Sequence, residues 1–113
     1  MKILLTILAL SLSTLSLSAQ TKKIPDQSKP VMLVEAACGK CQLGLKSNDC
    51  DLAVRINGKS YFVDGVHIDS LGDAHANDGM CNTIRKANVQ GEVVNNRFKA
   101  TYFVLVTEKK RSK

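Results

Sequence analysis

No apolar run in this sequence approaches the roughly 20 residues that a helix needs to cross the hydrocarbon of a bilayer. The run Ile3 to Leu10 is followed by Ser11, Ser13, Thr14, Ser16 and Ser18, so no transmembrane segment is expected. No cysteine follows that run where a lipoprotein signal would be acylated, which argues against a lipid anchor. Aromatic residues are scarce: Tyr61, Phe62, Phe98, Tyr102 and Phe103 are about what a small barrel core consumes. Tyr61 and Phe62 with Arg55 have the residue types of a base-stacking face, but core packing claims most of the aromatics, and no nucleic-acid partner is expected. No serine or threonine stands in a recognisable nucleophile elbow. Cys41 is followed by Gln42 rather than histidine, which excludes covalent haem attachment. Gly44 and Asn48 come too soon after the Cys-x-x-Cys pair for the long helix of a thioredoxin-like site. An enzyme is the less favoured class, and no catalytic residue is assigned.

What is present at the front end reads as an export signal. Lys2 supplies a positive start, the apolar run follows, and small or polar residues lead to Ala19, so residues 1–19 read as a signal peptide. The product is expected to be exported, periplasmic or secreted. Cleavage leaves 94 of the 113 residues, a length that suits one small domain with a core often reinforced by cross-links. Residues 20–30, polar and punctuated by Pro25 and Pro30, read as a flexible lead-in, residues 31–107 as a single β-barrel-like domain, and residues 108–113 as a basic tail. Loss of Lys2 lowers the formal charge from +6 to +5, and Lys109, Lys110, Arg111 and Lys113 carry four of those charges. The tail is open to weak contact with anionic surfaces, and its simplest role is that of a solvated end. No other partner is indicated.

Within the domain, Val31 to Ala37 reads as a strand ended by the turn-rich stretch Cys38 to Asp49. Asp51 to Ile56 and Ser60 to Val63 form a hairpin through Asn57-Gly58, the pair suited to two positive-φ positions. After the polar stretch Asp64 to Gly79, Met80 to Lys86 lacks breakers and is expected to form a short helix. Ala87 to Val93 and Phe98 to Val106 make a second hairpin around Asn95-Asn96, with Phe98, Ala100, Tyr102, Val104 and Val106 on one face and a bend or bulge at Gly91. Three strands, a short helix and two strands predict a mostly β fold, a small five-stranded OB-like barrel.

Two constellations could carry chemistry. Cys38, Cys41, Cys50 and Cys81 form an even set, for which an oxidising compartment predicts two structural disulfides in one of three pairings. The alternative is a metal site: Cys38 and Cys41 in a Cys-x-x-Cys pair, completed by Cys50, Cys81, His67 or His75, suits zinc or cuprous copper. Thiol redox chemistry is a third use of the same residues. No cofactor is required by these readings. The loop bearing His67, Asp69, Asp73, His75 and Asp78 mixes carboxylates with imidazoles and is a candidate metal or ligand loop. It is not an EF-hand, because Gly79 comes one place late and Ile84 stands where a glutamate is needed.

The stretches Cys38-Gly39-Lys40-Cys41, Cys50 to Gly65, Gly72-Asp73-Ala74-His75-Ala76 and Cys81 to Ala87 resemble a family of small exported bacterial proteins of unknown function, over nearly all of residues 35–106. Some members bear a glutaminyl-tRNA synthetase label; this chain, one domain long and without an ATP-binding signature, cannot support that activity. The resemblance implies an intact domain and supplies no catalytic residue. Together these readings predict an exported, disulfide-stabilised, non-enzymatic β domain that binds a small ligand, metal or protein, with a metal-binding or thiol-redox protein as the alternative.

Overall fold

The computed structural model describes residues 21–107; the expected signal peptide and basic tail lie outside them. Five strands, β1 (Met32–Cys38), β2 (Leu52–Ile56), β3 (Lys59–Asp64), β4 (Arg85–Val94) and β5 (Arg97–Leu105), close into a barrel in the order β1-β2-β3-β5-β4. Two tight turns make its local contacts. Asn57 and Gly58, at φ 51° and 81°, join β2 to β3, and Asn95 and Asn96, at φ 52° and 64°, join β4 to β5. Both pairs occupy the left-handed region that a two-residue hairpin of matching twist demands. Closure is non-local: β1 pairs antiparallel with β4, and β3 runs parallel to β5 through Val63–Phe98 and Asp64–Lys99. Arg97 braces that short parallel pair, its Nη2 2.8 Å from Asp64 Oδ1 and its guanidinium over the Phe62 ring. The architecture is the mostly β, OB-like barrel expected from the element order.

The core is built by period-two alternation. Val34, Ala36 and Cys38 of β1, Leu52 and Val54 of β2, Ala87 and Val89 of β4, and Phe98 of β5 are all buried. β5 departs from the expected face. Gln90 pairs with Tyr102 and Gly91 with Ala100, so Thr101 has no partner on β4 and the register slips by one. An extra residue turns every later side chain over. Phe98, Ala100 and Phe103 are therefore buried while Val104 is exposed, which corrects the single face expected from Phe98 to Val106. Gly91 marks the bulge: a Cβ there would collide with the Lys99 carbonyl oxygen and crowd the Phe98 ring.

The helix expected over Met80–Lys86 does not form. Arg85 and Lys86 already belong to β4, and Met80 to Thr83 lie in turns whose amide groups bond to nearby loop carbonyls, among them Cys81 N–H to Ala74 O at 2.9 Å and Thr83 N–H to Gly79 O at 3.1 Å. The end of the barrel is closed instead by a 3₁₀ turn, Ile68–Leu71, and by buried Ile68, Ala74 and Met80. Absence of helix breakers was a permissive signal, and pairing of β4 with β1 from Arg85 onward outweighed it. Among the described residues, the one α-helical turn, α1 (Gly39–Gln42), falls inside the stretch expected to be loop. It packs with Leu43 and Leu45 over Ala37, Ala53 and Phe62, outside the barrel. Gly39 permits this close approach, since a Cβ would meet the Phe62 ring at 2.8 Å and Ala53 Cβ at 3.0 Å.

Residues 22–29 are tied to the barrel, although composition alone gave them nothing to bury. Gln90, buried on β4, accepts from Asp26 N–H at 2.7 Å and donates to the carbonyls of Asp26 and Lys29, each at 2.8 Å. Lys22 N–H donates to Thr101 O at 2.8 Å, taking up the residue that the bulge leaves without a strand partner. No helix among the described residues is long and apolar enough to cross a membrane.

Candidate metal centre

Three separate segments bring the four cysteines together. Cys38 ends β1, Cys41 is the third residue of α1, Cys50 precedes β2, and Cys81 lies in the loop before β4. Their proximity rests on main-chain bonds that do not involve sulfur. Cys38 N–H donates to Met80 O at 2.8 Å, which sets Cys81 beside the end of β1, and Gly39 N–H donates to Asp51 O at 2.9 Å, which sets Cys50 beside α1. Gln42 Nε2 donates to Cys81 O at 2.8 Å and fastens α1 to the same loop. The result is a cluster in which all four Sγ atoms lie within 4.8 Å of one another.

Burial is graded across the cluster. Cys38 is fully buried, Cys50 and Cys81 are half-buried against the core, and Cys41 is exposed. Cys38 and Cys50 are joined as a disulfide with their Cα atoms 5.5 Å apart, while Cys41 and Cys81 are thiols. Two disulfides were expected, so one of the three pairings that spacing left open is partly chosen: Cys38 with Cys50, and Cys41 beside Cys81. Burial pushes the Cys81 thiol up from its ordinary pKa, and the hydrogen-bonded Cys41 sulfur and the Asp69 and Asp73 carboxylates push it further in the same direction.

The carboxylate and histidine loop is a neighbour of this cluster through Asp69 and Asp73. Its own side chains are largely occupied with the turns of the loop. His67 Nδ1 accepts from Asp69 N–H at 3.2 Å and stands 3.5 Å from Asp69 Oδ2, both side chains being about three-quarters exposed. Asp73 Oδ1 accepts from His75 N–H at 2.9 Å, and His75 and Asp78 face solvent. Among the described residues, the set of three or more His, Cys, Asp or Glu donors that converges is the four cysteines. Asn82 was not singled out from the sequence, yet its Nδ2 donates to the carbonyls of His75 and Ala76 at 2.9 and 2.8 Å and fixes the loop beside Cys81. Gln42 was likewise missed, its one signal being its place directly after the Cys-x-x-Cys pair.

A tetrahedral ion held by four thiolates at about 2.3 Å separates its sulfurs by about 3.8 Å. Once the Cys38–Cys50 disulfide is reduced and its two sulfurs part, a cluster confined within 4.8 Å is near the size that one zinc or cuprous ion would impose. The donor set is soft and all sulfur, which suits those ions and not calcium or magnesium.

Residues 32–106 match the family of unknown function DUF6370. The chain belongs to that family. The matched span runs from the first residue of β1 to just past β5, so the domain and all four cysteines lie inside it. No curated protein and no solved structure matches the chain.

Proposed function

We propose that this DUF6370 protein is an exported, non-enzymatic metal-binding module whose Cys38, Cys41, Cys50 and Cys81 hold one zinc or cuprous ion. The observation that carries this reading is the convergence of four sulfurs, from three segments, to within 4.8 Å. Backbone bonds to Met80, Asp51 and Ala74 hold the segments in place, so the site is preorganised and an entering ion has little chain to reorder. Export rests on the reading of residues 1–19. The Cys38–Cys50 disulfide favours a second reading for an oxidising compartment, in which the cluster serves as a structural staple completed by a Cys41–Cys81 bond.

The native mass and the thiol count of the intact protein separate the two. Reduced protein given stoichiometric zinc should gain one ion, and all four thiols should then resist alkylation. Four hydrogens lost on isolation, with no ion taken up after reduction, would discard the metal reading and leave the staple.

A further inference from the structure

We infer that the ion is cargo, delivered at Cys41 to an incoming thiolate. This rests on the metal reading above and names the donor that leaves and the chemistry of the acceptor. Cys38 has no exposed surface and Cys50 and Cys81 are half covered, so exposed Cys41 offers an acceptor the most open approach to an ion in this cluster. That residue also stands on an element of four residues, fastened at its ends through Gly39 and Gln42 and not through Cys41 itself. α1 is a single turn, closed by Leu43 N–H to Gly39 O at 3.2 Å, whereas Cys38 and Cys81 are themselves tied by main-chain bonds to Met80 and Ala74. One turn of helix has little cooperative resistance to rearrangement.

Charge orients the approach. Lys40, next to Cys41 in the sequence, and Lys46 are exposed and line an open depression of about 510 Å³ with Leu45, Ser47 and Asn48. Asp69 and Asp73 stand on the Cys81 side. An anionic thiolate is drawn to the first side and repelled from the second. The depression gives room, beside Lys40, for the peptide that carries the incoming thiol. In the step itself, the acceptor sulfur donates an electron pair to the ion as the Cys41–ion bond breaks. Cys41 departs as a thiolate with that bond's electron pair and takes up, through solvent, the proton that the acceptor thiol gave up on ionising. The ion keeps its charge and no oxidant or reductant is consumed.

The test follows replacement of protein-bound zinc by a heavier zinc isotope in the full-length chain, read by native mass at rising concentrations of the tripeptide thiol glutathione. The wild-type rate should climb with glutathione. Cys41→Ser should keep one ion on its three remaining thiolates and exchange it faster, whereas Cys38→Ser should lose the ion. Lys40→Glu, on an exposed side chain that leaves the fold and ion content intact, should reduce the glutathione dependence several-fold. An exchange rate indifferent to glutathione, equal ion loss in Cys41→Ser and Cys38→Ser, or a Lys40→Glu variant with an unchanged slope would overturn delivery at Cys41 while leaving metal binding standing. A wild-type protein that takes up no zinc would overturn the binding itself, and delivery with it.

Discussion

Cys41 and Cys81 touch the same cluster but face different surroundings, and their reactivities should differ accordingly. Cys41 is open to solvent, while burial and the nearby Cys41 sulfur, Asp69 and Asp73 hold Cys81 protonated to higher pH than an ordinary thiol. Thiolate is the reacting form, so its fraction at Cys81 is depressed at neutral pH and recovers as pH rises. In metal-free protein with those two thiols reduced, iodoacetamide should label Cys41 several-fold faster, and the gap should narrow toward alkaline pH. Mass mapping of a time course checks both points. Gln90 offers a second residue-scale test: its amide makes three hydrogen bonds to residues 26–29 while almost wholly buried. Gln90→Ala should cost about 1–2 kcal/mol in urea unfolding and should expose the Asp26 amide to rapid hydrogen exchange. The need for such a glutamine could not be read in advance, because a polar residue on the outward face of a strand signals solvent and not a covering segment.

At the scale of elements, the hairpins were legible because their turn residues act locally. Asn57-Gly58 and Asn95-Asn96 settle both strand pairs with no help from the rest of the chain. The helix expected at Met80–Lys86 was misjudged because its residues are governed by distant partners, Met80 O by Cys38 N–H and Lys86 by pairing with Glu35. The face of β5 was misjudged for a similar reason, since the slip at Thr101 depends on Gly91 across the ladder. Gly91→Ala should therefore cost about 2–4 kcal/mol, as the added methyl must displace the Lys99 carbonyl or the Phe98 ring. Equilibrium unfolding measures it, and an unchanged midpoint would mean that the bulge can relax. For the site, the four cysteines stood out by number and compartment, and the Cys-x-x-Cys pair predicted that two would be neighbours. That Cys50 and Cys81 join them depends on the β1–β2 register and on the Met80 carbonyl, neither of which the spacing contains.

For the whole molecule, the core extends well beyond the cysteine cluster, which adjoins it through buried Cys38 and half-buried Cys50 and Cys81. The barrel buries Val34, Val54, Val89, Phe98 and Phe103 together with Cys38 and Met80, and main-chain bonds rather than metal position the cysteine segments. Removal of zinc by a chelator under reducing conditions should thus lower the melting temperature yet leave a folded β protein, unlike a zinc finger, whose fold collapses without its ion. Far-ultraviolet circular dichroism before and after chelation decides the matter; loss of the β spectrum would make the ion part of the core. In oxidised protein the Cys38–Cys50 link closes a short loop, with a sequence separation of 12. Its reduction should cost on the order of 3 kcal/mol by the loop-closure argument.

The barrel closes only where distant parts of the chain meet: Met32 pairs with Val89, and Val63 with Phe98. Contacts of such separation make folding slow, on the order of milliseconds to seconds, because the ends of long loops must find one another before any closing pair forms. The two hairpins can form early, but neither has a partner against which to bury its inner face until that search succeeds.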